Sequence, residues 1–149
     1  MSDRPPAPGG RIITASWAAV AAFAVVGLPD ALGVTAFDGI ATGLSLGLFF
    51  VSLPVWGYAY FHAMARTTRG DDIVVASWVF LSGSAPAAVR RHLLGATAAS
   101  IVLALAYGWS NPFSVLVPML PLGLAALWGA RHGSFPPRRA AARPRGGRR

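Results

Sequence analysis

Four long apolar segments organise this chain, and short polar, proline-rich or glycine-rich segments separate them. The longest, residues 39–65, contains no Asp, Glu, Lys or Arg. As a helix it would be about 40 Å long at 1.5 Å per residue, which exceeds the hydrocarbon core of a bilayer. The other three segments cover residues 12–28, 93–109 and 113–130. The pattern predicts an all-α integral membrane bundle of four transmembrane helices.

The first apolar segment also admits a signal-peptide interpretation. Arg4 and Arg11 precede it, and Val34-Thr35-Ala36 has the small residues of a cleavage site. However, residues 12–28 are long for the apolar region of a signal peptide, and another span follows closely. An uncleaved first helix is therefore favoured.

A fifth apolar segment, residues 73–83, is too short to cross a bilayer as a helix. Asp71 and Asp72 are placed to cap a helix start there. We predict a short interfacial helix between spans two and three, either in the membrane interface or packed on the bundle. Its β-branched residues leave a strand or a re-entrant turn open.

The prolines and the chain ends modify this framework. Pro54 lies inside the second span and Pro118 and Pro121 lie inside the fourth, so kinks are expected there. Residues 1–11 and 133–149 are rich in Pro, Gly or Arg, and we predict that both tails are disordered. The membrane domain then covers residues 12–132.

Composition agrees with a membrane protein. Charged residues make up 12% of the chain, against about 25% in soluble domains. The charged set is 13 Arg and 5 Asp, and Lys, Glu and Cys are absent. Arg without Lys, beside abundant Ala, Gly and Pro, is typical of a GC-rich bacterial genome. The lack of Cys excludes disulfides and thiolate chemistry.

The arginines predict an orientation. In a four-span arrangement all 13 Arg fall on one side, and the loops at 29–38 and 108–112 contain none. The positive-inside rule then places both termini and the 66–92 connector in the cytoplasm, with the protein in the cytoplasmic (inner) membrane. We also expect aromatic residues to mark the two membrane interfaces. Those of the outer interface are Tyr107 and Trp109, and those of the inner interface are Trp56, Tyr58, Tyr60, Phe61 and Trp128.

Gly39, Gly43 and Gly47 form a small-residue face on the second span. Small residues promote association in lipid because they let two helix backbones approach closely. The third span carries a matching set at the same spacing, which is Ala96, Ser100 and Ala104. The glycine face is therefore suited to pack on this span, on a second copy or on a partner protein.

The polar residues form no pattern that indicates a chemical reaction. His62, His92 and His132 share one predicted membrane level, but each has an Arg nearby that opposes a bound cation. We therefore predict no catalytic, cofactor-binding or metal-binding residues and no cofactor. The Asp residues at positions 30, 38, 71 and 72 are interpreted as helix caps and loop side chains.

The C-terminal tail is predicted to contact anionic lipid head groups or an acidic partner, because it has no acidic residue. No specific nucleic-acid binding is expected. The tail arginines concerned are Arg138, Arg139, Arg143, Arg145, Arg148 and Arg149.

Three strings of the sequence, DDIVVASWVFLSGSAP, RRHLLGA and LWGARHGSFPPR, lie within residues 71–138. With the Arg-rich end, they resemble small uncharacterised four-span membrane proteins of actinobacteria. The resemblance implies no activity.

The functional hypothesis from the sequence is a non-enzymatic accessory or assembly partner in a membrane complex, which binds a membrane protein or a second copy. One alternative is a small oligomeric transporter or channel component. Another is a membrane enzyme with an interfacial His site.

Overall fold

Four long helices form the chain in the computed structural model, which describes residues 9–138. Within that range an isolated bridge pairs Asp71 with Pro137, and there is no β-strand. The all-α prediction is confirmed. The helices are α1 (Gly10–Ala31), α2 (Asp38–Thr68), α3 (Val75–Trp78), α4 (Ala87–Tyr107) and α5 (Met119–His132), with 3-10 turns at Thr35–Phe37 and Pro112–Leu116.

Four helical segments are long and apolar enough to cross a membrane, as predicted. They are Gly10–Ala31, Thr35–Thr68, Ala87–Tyr107 and Pro112–His132. The second and fourth include the 3-10 turns that precede α2 and α5.

The largest differences between the helix bounds and the predicted spans are at the starts of the third and fourth spans. Helix α4 begins at Ala87, after Pro86, so Arg90 and Arg91 lie within it rather than before it. The fourth span is divided at Pro118, because proline has no backbone N–H to continue a helix. Pro54, in contrast, lies inside a continuous α2.

Within residues 9–138, parts of both segments that were predicted as tails belong to helix α1 or are hydrogen-bonded to the bundle. Gly10 and Arg11 already belong to α1. At the other end, Ser134 donates its backbone N–H to Ser84 O (3.0 Å), and Asp72 donates to Pro136 O (2.9 Å). These hydrogen bonds hold residues 133–138 against the bundle. Residues 1–8 and 139–149 lie outside the described range.

Helix α5 is the central helix of the bundle. Nine of its 14 residues are buried, whereas five of the 31 residues of α2 are. It packs against α1, α2, α3 and α4. Small residues make this possible, since Gly123, Ala125, Ala126 and Gly129 let neighbouring side chains approach its backbone.

Two tryptophan side chains lie close enough to α5 to donate hydrogen bonds to its backbone. Trp56 Nε1 on α2 donates to Met119 O (3.0 Å), and Trp78 Nε1 donates to Ala126 O (2.9 Å). A methyl group on Gly123 would lie 2.9 Å from Trp56 Nε1, and one on Gly129 would overlap the Trp78 carbonyl. The two glycines therefore make room for the groups that hold α2 and α3 on α5.

Residues 73–83 contain one turn of helix, α3, followed by turns. Val79 and Leu81 in this segment are buried, and α3 packs on α5. Helix rather than strand is therefore found, over four residues. An interfacial position for this segment stays a prediction.

Two of the predicted interface aromatics are core residues instead. Trp128 is 1% exposed and packs with Leu81 and Leu93. Tyr107 is also buried, with its ring edge-to-face on Phe23 at 5.4 Å. Both side chains point into the bundle because α5 and α4 bury the faces that carry them. Trp109, predicted beside Tyr107, is 75% exposed.

The two kinds of glycine predict opposite effects of the same substitution. Gly129→Ala should lower the free energy of unfolding by about 1–3 kcal/mol, because the methyl group overlaps Trp78. Gly43→Ala should raise it by about 0.5–1 kcal/mol, because its methyl group meets open space and alanine favours the helix. Reversible unfolding of the monomer in detergent measures both. Equal effects of the two substitutions would contradict this packing.

Candidate functional site

The outer face of α2 carries the three predicted glycines. The buried residues of α2 are Ala41, Ser45, Ser52, Ala59 and Ala63. At 3.6 residues per turn, the mean direction of Gly39, Gly43 and Gly47 lies about 180° around the helix from these residues. The glycine face therefore points directly away from the bundle.

Nothing in the described chain occupies this face. All three glycines are exposed, and a Cβ built on any of them meets no other atom within 4 Å. Large apolar side chains flank the column, among them Ile40 and Phe50, which are also exposed. The result is a shallow groove with glycine backbone as its floor.

The predicted partner face is elsewhere. Ala96, Ser100 and Ala104 are buried in α4, and α4 packs mainly on α1 and α5. Ala104, for example, lies in a cluster with Phe23 and Val117. The predicted docking of the glycine face on this set is therefore not formed, because α5 provides the packing surface for both α2 and α4.

The two ends of the bundle differ in charge. The starts of α1 and α4 and the ends of α2 and α5 meet at one end, where residues from these elements and the 73–83 segment share a cluster and hydrogen bonds. The seven Arg of residues 9–138 all lie near these starts and ends, and we name this the arginine end. The opposite end carries Asp30 and Asp38.

A cavity of about 720 Å³ opens at the arginine end, between the last turns of α2 and α5. Its residues are charged or small. They are His62, Ala65, Arg66, Arg69, Asp71, Ala130, Arg131 and Gly133.

Arg66 forms a fixed wall of this cavity. Its Nε donates to Asp71 Oδ2 at 2.7 Å, and its Nη1 donates to Gly133 O at 2.7 Å and Ala130 O at 3.3 Å. Its guanidinium carbon lies 4.7 Å from the centre of the Phe135 ring. One side chain thus ties the end of α2 to the end of α5 and to residues 133–135.

The three histidines do not form one site. His62 lines the cavity and stacks on Tyr58 at 4.3 Å between ring centres. His132 packs against Trp128, and His92 is exposed. Among residues 9–138, no group of three or more His, Cys, Asp or Glu side chains could hold a metal ion.

Two polar residues of the opposite end, Asp30 and Asn111, are buried, although Asp30 was expected to be a helix cap or loop side chain. Asp30 is buried in the last turn of α1 and accepts a hydrogen bond from Ser110 Oγ at 3.1 Å. Asn111 Nδ2 donates to Ser45 Oγ at 3.1 Å, which links the 3-10 turn before α5 to α2. Both looked like ordinary loop residues, since nothing in their neighbours signals burial.

Of the six predicted tail arginines, the structure describes only Arg138. Its backbone N–H donates to Gly70 O, at 2.6 Å, and its side chain is exposed. Arg139, Arg143, Arg145, Arg148 and Arg149 lie outside the described residues.

Comparison with known proteins gives no assignment. No protein-family model matches the chain, and no curated protein or solved structure matches it. The resemblance to actinobacterial four-span proteins therefore stays a prediction.

Replacing Arg66 tests whether its side chain holds residues 133–138 against the bundle. Arg66→Met keeps an unbranched side-chain stem but removes the guanidinium group and all its donors, which should cost about 1–3 kcal/mol locally. We expect the amides of Asp72, Ser134 and Arg138 to exchange with solvent at least about tenfold faster in hydrogen-exchange mass spectrometry.

Arg69→Met is the matched control, because Arg69 is exposed and its side chain has no hydrogen bond or ion pair among residues 9–138. Exchange at the same amides should not change in this variant. Unchanged exchange in Arg66→Met would show that residues 133–138 are held by other contacts.

Proposed function

We propose that this chain is a multi-pass protein of a bacterial cytoplasmic membrane, with both termini in the cytoplasm. Four helices of sufficient length and apolarity support insertion. The one-sided distribution of the 13 Arg supports the orientation. In this orientation the arginine end, with its cavity, faces the cytoplasm, and Asp30 lies at the outer side.

Reporter fusions test the orientation. Reporters at positions 34 and 110 should give a periplasmic signal, and a reporter at position 85 should give a cytoplasmic signal. These positions sample both loops of one side and the connector of the other. A periplasmic signal at position 85 would overturn the four-span topology.

Within the membrane, we propose a non-enzymatic role as an accessory or assembly subunit of a membrane complex. The observation that carries this proposal is the open glycine face of α2. Glycine costs helix stability, about 0.5–1 kcal/mol relative to alanine. Three glycines on one face are useful where another helix packs against them, and no part of the described chain does so.

The interior of the bundle favours assembly over transport through a single chain. Its middle levels hold clusters of buried apolar side chains, which include Phe23, Val117, Leu120 and Leu124. Most buried hydroxyl groups in the spans donate to backbone carbonyls, as Ser114 Oγ does to Ala104 O at 2.9 Å. Ser16 Oγ is the exception among residues 9–138, because it is buried without a hydrogen-bond partner.

The histidine positions favour a binding role over an enzymatic one. A site at the predicted His level would need several of these side chains to converge. The cavity at the arginine end has His62 in its lining, together with three arginines that disfavour a bound cation.

A larger side chain on the glycine face tests assembly. Gly43→Leu should prevent close approach of a partner helix, so recovery of the complex should fall at least about tenfold, a loss of about 1.4 kcal/mol. The chain itself should remain folded, because leucine favours the helix and position 43 faces open space. Isolation from native membranes in mild detergent, followed by mass spectrometry, measures recovery.

Ala98→Leu is the matched control. Ala98 is exposed on α4, so it presents the same substitution away from the glycine face, and recovery should equal that of the unmodified chain. Co-isolation of two differently tagged copies identifies a homo-oligomer. A lone monomer in native membranes, or equal recovery with Gly43→Leu and Ala98→Leu, would contradict the proposal.

A further inference from the structure

We infer that the cavity at the arginine end binds a phosphate group, carried by an anionic lipid head group or by free phosphate. The inference stands on the contents of the cavity and does not depend on the assembly role. Its volume of about 720 Å³ is within the range of about 300–1,000 Å³ that is usual for small-molecule sites.

The charge of the cavity is unbalanced. Three guanidinium groups and one carboxylate line it. The carboxylate, Asp71, is already paired with Arg66 at 2.7 Å. Among the lining residues, Arg69 and Arg131 therefore remain without a compensating charge.

These two arginines are free to bind. Neither side chain has a hydrogen bond or ion pair within residues 9–138, and both residues are exposed. A guanidinium presents a planar set of N–H donors that matches a phosphate, with two parallel hydrogen bonds. Because Arg69 follows α2 and Arg131 lies on α5, they approach the cavity from two elements.

The other residues that line the cavity leave space for a ligand, and Arg66 is held in place beside that space. Ala65, Ala130 and Gly133 bring little or no side chain into the cavity. Arg66 cannot swing into the space without breaking its bonds to Asp71 and Gly133. The cavity is thus bounded by the hydrogen-bonded side chain of Arg66, and the guanidinium groups of Arg69 and Arg131 also line it.

A lipid source is favoured by the surface next to the cavity. Tyr58 and Phe61 lie one turn before His62 and Ala65 on α2, and both are exposed, Phe61 by 71%. In the proposed orientation this apolar strip would lie at the inner leaflet, below the cavity. Acyl chains could then lie along the strip while the phosphate occupies the cavity.

The test is a binding titration of the full chain in zwitterionic detergent by isothermal calorimetry. The probes are short-chain phosphatidic acid, short-chain phosphatidylcholine and inorganic phosphate. We expect phosphatidic acid to bind the unmodified chain in preference to phosphatidylcholine. In Arg69→Gln/Arg131→Gln its Kd should rise at least about tenfold, since each charge near the surface contributes about one kcal/mol.

Arg90→Gln/Arg91→Gln is the matched control, and its Kd should change less than about twofold. It removes the same charge from exposed positions at the same end, outside the cavity. The tail arginines are identical in both variants, so their general attraction for anions cancels. Each single variant, Arg69→Gln and Arg131→Gln, should give a smaller loss and replaces the double variant if that variant does not fold.

The outcomes separate the two sources. Tight binding of phosphatidic acid with weak binding of inorganic phosphate assigns the cavity to a lipid head group. Inorganic phosphate that binds as tightly, and is lost in the same double variant, assigns it to free phosphate. Three results would overturn the inference: no anion bound, phosphatidylcholine bound equally well, or equal losses in the two double variants.

Discussion

The close approach of neighbouring side chains to the backbone of α5 is the constraint on which the rest of the structure depends. Gly123 and Gly129 leave space there, and the indole N–H groups of Trp56 and Trp78 use it to reach carbonyl oxygens of α5. In an apolar environment an indole without an acceptor is costly, so these hydrogen bonds fix both position and rotation of the helices that carry them. The 14-residue α5 thereby positions both the 31-residue α2 and the short α3.

One consequence is the outward direction of the glycine face of α2. Because Trp56 commits one side of α2 to α5, Gly39, Gly43 and Gly47 are turned to the opposite side. The chain therefore contains two classes of helix glycine, those filled by a neighbouring group and those that face open space. Packing within the chain explains the first class. The second class lowers helix stability without a contact in the described residues, and this difference is the basis for the proposal that α2 mediates assembly.

The number and approximate position of the helices could be predicted from sequence because they depend on length and apolarity alone. Which side of each helix is buried could not, since spans that are apolar all round give little periodic signal. Apolarity therefore predicts Trp128 and Tyr107 at interfaces, although both side chains are buried in the core. It also leaves Ala96, Ser100 and Ala104 as one of three possible partners of the glycine face, and this contact is not formed. The burial of Asp30 and Asn111 depends on contacts with distant residues, Ser110 and Ser45, that no local pattern specifies. The cavity could not be predicted from the sequence, because Arg66, Arg69 and Arg131 are equivalent there as signals of membrane topology.

The structure separates these arginines by their partners. Arg66 donates hydrogen bonds to Asp71 and to backbone carbonyls at the end of α5, and so connects α2 to α5. The side chains of Arg69 and Arg131 have no such bonds within residues 9–138, and their like charges line one cavity whose only carboxylate is already paired with Arg66. An anion bound between them would lower that repulsion and add a second tie between the last turns of α2 and α5, the two helices with the most extensive mutual packing. Since this pairing also sets the direction of the glycine face, occupation of the cavity would stabilise the arrangement that presents α2 to a partner.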